Sequence, residues 1–179
     1  MDNERKIQHK NSNEENDSLF FLNHIPEKEV SVIVDYGCAD GILLQRLRNN
    51  GPDWKEIGID KDIDVLELFK LRNPDATFIK SRYPLTHRQA DPKNCVLHIG
   101  NMLSDLYASM TPKEMPLFWY IVFSSGYKYV VINDKITDQF PLTKQEFIAL
   151  IPEDYEIVYE NTGDQEQIQL IVKDAGEKE

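Results

Sequence analysis

Two glycines and an aspartate have the spacing of a nucleoside-binding turn. Gly37 and Gly41 follow the apolar run Val30–Val34 and precede a helical pattern that begins at Ile42. Glycine permits a tight turn and lets a ligand approach the backbone closely, although such turns also join strands to helices for packing reasons. Asp60 ends the next predicted strand, where a carboxylate can accept hydrogen bonds from both hydroxyls of a ribose. Together these features predict a small ligand that contains a nucleoside.

The turn differs from the fingerprint of nicotinamide-dependent enzymes. That fingerprint, G-x-G-x-x-G, has a second glycine two positions after the first, where a pyrophosphate presses on the backbone. Ala39 occupies that position here. The sequence therefore favours a nucleoside ligand without a diphosphate over a nucleotide-dependent oxidoreductase.

His98 is the candidate catalytic base. It ends the predicted strand Cys95–His98, and a neutral imidazole can take a proton near physiological pH. The alternative is a structural histidine, hydrogen-bonded at the edge of the sheet. Other polar residues on the same predicted rim are Asn101, Asp105, Asn133 and Asp134, although Asp105 also fits a solvated helix position and Asn133–Asp134 a strand-ending turn.

The elements that position these residues alternate between strand and helix. Short apolar, β-branched runs predict buried strands of a parallel sheet, and the intervening segments have apolar residues at helical spacing. Predicted strands are 30–34, 56–60, 76–79, 95–98 and 129–132, followed by a hairpin of 155–159 and 167–172 whose turn contains Gly163 and Asp164. This order predicts an α/β fold: a doubly wound, mostly parallel seven-stranded sheet with a C-terminal antiparallel hairpin and helices on both faces.

The sequence resembles the class I S-adenosylmethionine-dependent methyltransferases. The run from Asp35 through Gly37 to Gly41, followed by Ile57-Gly-Ile-Asp60, is similar to their first two motifs. The resemblance implies S-adenosylmethionine as cofactor, with the turn, including Cys38 and Ala39, around its amino-acid part and Asp60 on its ribose. By family position it also implies that Ile63 packs on the adenine, that Ser81 replaces the usual adenine-binding acid, and that His98 lies beside the methyl group.

The resemblance implies transfer of a methyl group to a small-molecule, protein or RNA acceptor. The residues after the fourth predicted strand, His98-Ile-Gly-Asn101, do not match the N-P-P-Y or D-P-P-Y segment of DNA base methyltransferases. The chain also lacks a Pro-Cys nucleophile, so DNA base methylation is disfavoured. The alternative function is that of a non-catalytic protein with the methyltransferase fold, which binds or regulates a partner.

Two further clusters each have two interpretations. Five basic residues between positions 80 and 93 fit either a site for an anionic acceptor or a solvated loop, namely Lys80, Arg82, His87, Arg88 and Lys93. The run Phe118-Trp119-Tyr120 fits either the wall of an acceptor pocket or the core. Spacing alone does not separate these interpretations.

Composition limits the class of protein. The 179 residues contain 31 acidic and 20 basic side chains, a net charge of -11 that disfavours binding to duplex DNA. We expect a cytoplasmic protein with no membrane segment, no bound metal and room for a partner subunit. The two thiols, Cys38 and Cys95, fall at opposite ends of neighbouring predicted strands, so they should stay unpaired. Residues 1–18 read as a flexible polar arm, 19–173 as a single domain and 174–179 as a charged tail.

Overall fold

A seven-stranded sheet forms the centre of the molecule. The computed structural model describes residues 18–86, 89–137, 140–162 and 166–176. Buried β-branched and aromatic side chains fill the strands of the parallel core, as expected where both faces of a sheet are covered. In chain order the strands are β1 Val32–Tyr36, β2 Lys55–Asp60, β3 Thr77–Lys80, β4 Cys95–Gly100, β5 Tyr129–Lys135, β6 Tyr155–Glu160 and β7 Gln167–Asp174.

The strand order is β3-β2-β1-β4-β5-β7-β6. The first five strands are parallel, and β7 pairs antiparallel with both β5 and β6. The order reverses between β1 and β4, which places the loops after these two strands at one crevice. The predicted α/β class, the mostly parallel seven-stranded sheet and the C-terminal antiparallel hairpin are confirmed.

In the described ranges, five helices cover the two faces of the sheet. On one face lie α1 (Ile42–Asn50) and α2 (Leu66–Arg72), together with a 3₁₀ turn at Phe20–Asn23. The other face carries α3 (Leu103–Ser109), α4 (Glu114–Ser124) and α5 (Lys144–Ile148). The β1–α1 turn and the β4–α3 loop therefore open at the same edge, with helices of opposite faces leading away from them.

Several predicted boundaries were wrong by a few residues. β1 begins at Val32 and continues to Tyr36, and β4 continues to Gly100, because both segments stay in register with neighbouring strands past the predicted ends. The predicted tail begins too early, since Asp174 belongs to β7. Residues 1–17, 163–165 and 177–179 lie outside the described residues, and with them most of the predicted arm, the hairpin turn and most of the tail.

The segment before β1 is fastened to the amino end of the sheet. The Glu29 carboxylate accepts a hydrogen bond from the Tyr129 hydroxyl at 2.9 Å and pairs with Lys173 at 3.0 Å and Lys128 at 3.4 Å. These partners lower the pKa of Glu29 to about 2, and the largest cause is the hydrogen bond from Lys173.

Among the helices in the described ranges, none has the length and apolar character needed to cross a membrane.

Candidate functional site

A cavity opens at the carboxyl ends of β1, β2 and β4. Its volume is about 550 Å³, within the usual range for small-molecule sites. Three of the residues predicted to bind the cofactor line it, namely Gly37, Ala39 and Asp60. The complete lining is Tyr36, Gly37, Ala39, Asp60, Lys61, Arg82, Asn101, Met102, Asp105, Leu106, Ser109 and Met110.

The glycine turn has three residues in the left-handed region of backbone conformation. Gly37 and Gly41 have φ 75°, and Ala39 has φ 44°. Glycine adopts this region freely, whereas an alanine there costs about 1–2 kcal/mol. The Gly37 and Cys38 N–H groups both donate to the Ile59 carbonyl oxygen, at 2.8 and 3.2 Å. The turn is therefore closed on the end of β2.

Asp60 joins the turn to the loop after β2. One carboxylate oxygen accepts the Ala39 N–H at 3.0 Å, and the other accepts the Asp62 N–H at 2.9 Å. An ionised carboxylate has about four acceptor positions, so these two bonds leave capacity for donors of a ligand. Asp60 is positioned by the protein while part of it still faces the cavity.

Gly41 is required by packing and does not line the cavity. A Cβ at this position would lie 2.1 Å from Asn73 Nδ2 and 2.8 Å from the Phe69 ring. The Asn73 amide donates to the Gly41 carbonyl oxygen at 2.9 Å, and its own oxygen accepts from Arg48 at 3.0 Å. Asn73 directly follows α2 and precedes Pro74, a pattern typical of a helix end that gives no signal for this contact.

The two cysteines are free, as predicted. Cys38 is buried against Gly58, where an added Cβ would lie 2.8 Å from its sulfur. Burial raises the pKa of the Cys38 thiol, which therefore stays protonated and behaves as a small apolar side chain. Although Cys38 belongs to the turn, its side chain points into the core. Only its backbone is therefore available for the predicted contact with the cofactor.

Asp35 and His98 face each other in the interior of the sheet. His98 lies within β4 rather than at its end, because β4 continues to Gly100. Its Nδ1 is 2.9 Å from an Asp35 carboxylate oxygen, and both residues are only 5% exposed. The Phe21 ring covers the imidazole with 5.8 Å between ring centroids. Neither residue lines the cavity, so the structure puts this pair behind the site.

The two residues placed near the adenine by family position do not line the cavity. Ile63 is 41% exposed, in the turn that precedes α2. The Ser81 hydroxyl donates to the Tyr83 carbonyl oxygen at 2.8 Å and accepts the Tyr83 N–H at 3.1 Å. Ser81 thus stabilises its own turn, and the adenine contacts of both residues stay predictions.

The rim after β4 and β5 contains the residues grouped there by topology. Asn101 and Asp105 line the cavity, and Asn101 has a left-handed φ of 52°. Asp134 is buried, and one of its oxygens accepts the N–H groups of Met102 at 2.6 Å and Leu103 at 2.7 Å. Asp134 therefore fixes the start of α3. Sequence reasoning missed Met102, which lines the cavity but shows in the sequence only as an apolar residue at helical spacing.

Of the predicted basic stretch, Arg82 lines the cavity. Its guanidinium pairs with Glu114 at 3.3 Å, and its carbonyl oxygen accepts the Tyr36 hydroxyl at 2.6 Å. His87 and Arg88 lie outside the described residues. Among the described residues of the stretch, Arg82 contributes one paired cation to the lining of the cavity.

A second cavity of about 630 Å³ lies between α4 and the segment around α5. Trp119 is fixed in its wall by a hydrogen bond from its ring N–H to the Tyr107 hydroxyl at 3.1 Å. Phe118 and Trp119 are buried, whereas Tyr120 is 69% exposed. The aromatic run is therefore mainly core, with its third member at the surface.

Similar proteins carry the word methyltransferase in their names. No protein-family model matches the chain. Over 60 residues it is 42% identical to trans-aconitate 2-methyltransferase from Afipia carboxidovorans, a match that covers 34% of this chain and 23% of that protein. The chain thus spans about a quarter of the length of this relative.

Solved structures are similar over most of the chain. The methyltransferase domain of bacterial CtHen1-C has a TM-score of 0.69 at 13% identity, with 89% of this chain and 97% of that one covered. A TehB-like SAM-dependent methyltransferase from Corynebacterium glutamicum gives 0.66 at 12%, covering 88% and 86%. The plantazolicin methyltransferase BamL, solved with SAH, gives 0.66 at 13%, covering 93% and 87%. The chain has the class I SAM-dependent methyltransferase fold.

Proposed function

We propose that this protein is an S-adenosylmethionine-dependent methyltransferase whose cofactor binds in the cavity at the carboxyl ends of β1, β2 and β4. One observation carries the proposal. The glycine turn and the acid at the end of β2, which the sequence motifs pair, line the same cavity and are joined by the hydrogen bond from Ala39 to Asp60.

The residues present fit the cofactor. Asp60 is the ribose ligand, because its carboxylate is held by two backbone N–H groups and keeps acceptor positions for two hydroxyls. Gly37 offers backbone without a side chain next to it. The cavity volume of about 550 Å³ suits a ligand of nucleoside size with a short extension.

The bound cofactor supplies a methyl group on a positively charged sulfur. In-line transfer of such a group is accelerated mainly by positioning and by exclusion of water. Tyr36 and Leu106 give the cavity an apolar wall that serves both purposes. Burial raises the pKa of the Tyr36 hydroxyl, so this wall stays uncharged across the physiological range.

We assign His98 a positioning role in place of the role of general base. A base must reach the proton that it removes, within about 3.2 Å or through one water molecule. His98 is buried, and its Nδ1 is directed at Asp35. The hydrogen bond between the imidazole Nδ1 and the Asp35 carboxylate joins β4 to β1. The pair therefore holds the end of β1, from which the glycine turn departs.

A small-molecule, a protein or an RNA acceptor is compatible with the site. The Afipia relative is named for methylation of a small carboxylic acid, but the match covers too little of that protein to extend its acceptor to this chain.

A non-catalytic binding protein is the second candidate function. The observation that favours it is the position of His98, the predicted base, which does not line the cavity. Such a protein would bind the cofactor or its product without turnover.

Calorimetric titration tests the binding step. We expect S-adenosylmethionine and S-adenosylhomocysteine to bind, and NAD to bind far more weakly. Each hydrogen bond to a charged group contributes about 1.5–3 kcal/mol, so Asp60→Ala should weaken binding at least about tenfold. Asp64→Ala is the matched control, because Asp64 is an exposed acid in the same loop that does not line the cavity. Equal affinities of the Asp60 variant and the wild type would show that Asp60 does not bind the ribose.

A further inference from the structure

The backbone of Gly37 is covered by the side chain of Met102. A Cβ built on Gly37 would lie 2.5 Å from the Met102 sulfur and 3.2 Å from its methyl carbon. The first of these distances is shorter than real Cβ atoms make, so the thioether rests directly on the glycine. Gly37 is thus needed in this conformation for Met102 to lie where it does.

The bare surface of Gly37 is what the turn offers to a ligand. The N–H groups of Gly37 and Cys38 are bonded to the Ile59 carbonyl oxygen, and that of Ala39 is bonded to Asp60. A ligand at the turn therefore gains mainly by close packing on Gly37. In the conformation that the structure shows, Met102 takes up that space.

The backbone of Met102 is fixed, while its side chain has a route to move. Asp134 accepts the N–H groups of Met102 and Leu103, which anchors the start of α3. The side chain is half-buried and lines the cavity. Methionine is unbranched and has three rotatable side-chain bonds, so it can change rotamer without a change in the backbone. Because the backbone is anchored and the side chain is adaptable, Met102 can leave the space over Gly37 by a change of rotamer alone.

We propose that the Met102 side chain occupies the part of the cavity that the amino-acid portion of the cofactor takes, and that cofactor binding displaces it. This rests on the proposed function. Moving the Met102 side chain costs free energy, which weakens binding of any ligand that reaches Gly37. A ligand limited to the Asp60 end leaves the Met102 side chain where it is. Met102 therefore sets the preference between S-adenosylhomocysteine, which has the amino-acid portion, and adenosine, which lacks it.

Affinity ratios test this assignment. The dissociation constants of S-adenosylhomocysteine and adenosine are measured by calorimetry for the wild type, Met102→Ala and Met110→Ala. Met110 is the matched control, because its thioether lines the same cavity without lying on Gly37. We expect Met102→Ala to raise the affinity for S-adenosylhomocysteine at least threefold relative to adenosine, and Met110→Ala to leave the ratio unchanged. An unchanged or lower affinity for S-adenosylhomocysteine relative to adenosine in the Met102 variant would overturn this assignment.

Methyl resonances of labelled methionine give a second readout. The chain has four methionines, so the spectrum is small, and the Met102→Ala spectrum assigns the signal. S-adenosylhomocysteine should shift the Met102 methyl strongly and adenosine weakly, while the buried Met115 methyl stays in place with both. Bound S-adenosylhomocysteine with an unshifted Met102 methyl would refute the displacement. Failure of both ligands to bind is a different result, which would overturn the proposed function itself.

Discussion

At the amino end of the sheet the Glu29 carboxylate lies within 3.4 Å of two ammonium groups and accepts a hydrogen bond from Tyr129. At the carboxyl end the Asp60 carboxylate accepts two backbone N–H groups at the wall of a cavity. A carboxylate surrounded by cations has its charge balanced within the fold. One that is held by N–H groups is oriented and keeps acceptor positions for other donors.

The backbone also differs between the two ends. In the described residues, the non-glycine residues with positive φ, Ala39 and Asn101, both line the cavity, whereas positive φ at the amino end falls on glycines, Gly126 and Gly176. Strained or unusual backbone persists where the surrounding structure imposes it, and it clusters at binding sites. Here the imposing structure is a layer behind the cavity, formed by the Asp35–His98 pair and by Asn73. The comparison suggests that stability and binding depend on different residues.

The Asp35–His98 pair should give the largest effect on stability. His98→Leu leaves a buried carboxylate without its histidine partner, which should lower the free energy of unfolding by about 3–5 kcal/mol. His98→Asn places an amide near the position of Nδ1 and should retain most of the stability. Chemical denaturation measures both.

Turnover distinguishes this positioning role from that of a general base. If His98 positions Asp35, then His98→Asn retains activity as well as fold. A hundredfold loss of turnover in a stable His98→Asn variant with unchanged cofactor affinity would restore the role of general base.

Gly41→Ala should be the next largest change. The new Cβ would meet Asn73 and Phe69 and would have to adopt φ 75°, and overpacking adds to the backbone strain. We expect a loss of about 2–5 kcal/mol in the free energy of unfolding. Gly126→Ala is the control, because Gly126 has φ 73° with open space around it and should lose only the backbone part, about 1–2 kcal/mol. Equal losses at the two positions would mean that Asn73 does not constrain the turn.

The smallest effect is expected at the amino end, and it depends on pH. The pKa of Glu29 is lowered from 4.5 to about 2, so its contribution is complete above pH 4.5 and is lost as the pH falls towards 2. Glu29→Gln should lower stability by about 1 kcal/mol at pH 7, with a difference that shrinks in acid. Thermal unfolding from pH 7 to pH 3 measures this. Cofactor affinity should not change in this variant. A loss of affinity would contradict the claim that stability at the amino end and binding at the carboxyl end depend on different residues.

The sequence was sufficient for the succession of strands and helices along the chain and for the meeting of Gly37 and Asp60 at one cavity. Both residues follow strands whose apolar runs are unambiguous, so their meeting at one edge follows from parallel topology. Ile63 and Ser81 were placed by family position alone, and neither lines the cavity.

Contacts between distant side chains were not readable from the pattern. In the sequence, Asn73 and Pro74 end a helical pattern, and Met102 is one of several apolar residues at helical spacing. Neither pattern shows the approach of these side chains to a glycine, since that depends on how α2 and α3 pack against the turn. The predicted fourth strand ends at His98, whereas the β4 ladder continues to Gly100.

Transfer of a labelled methyl group is the most direct test of the central claim, that this site performs methyl transfer. The protein is incubated with S-adenosylmethionine labelled on the methyl group and with cell extract, which is then separated into small-molecule, RNA and protein fractions. The account predicts label in one fraction with the wild type and with Asp64→Ala, and at least about tenfold less with Asp60→Ala at limiting cofactor. Tight binding of the cofactor by the wild type with no label in any fraction would contradict it.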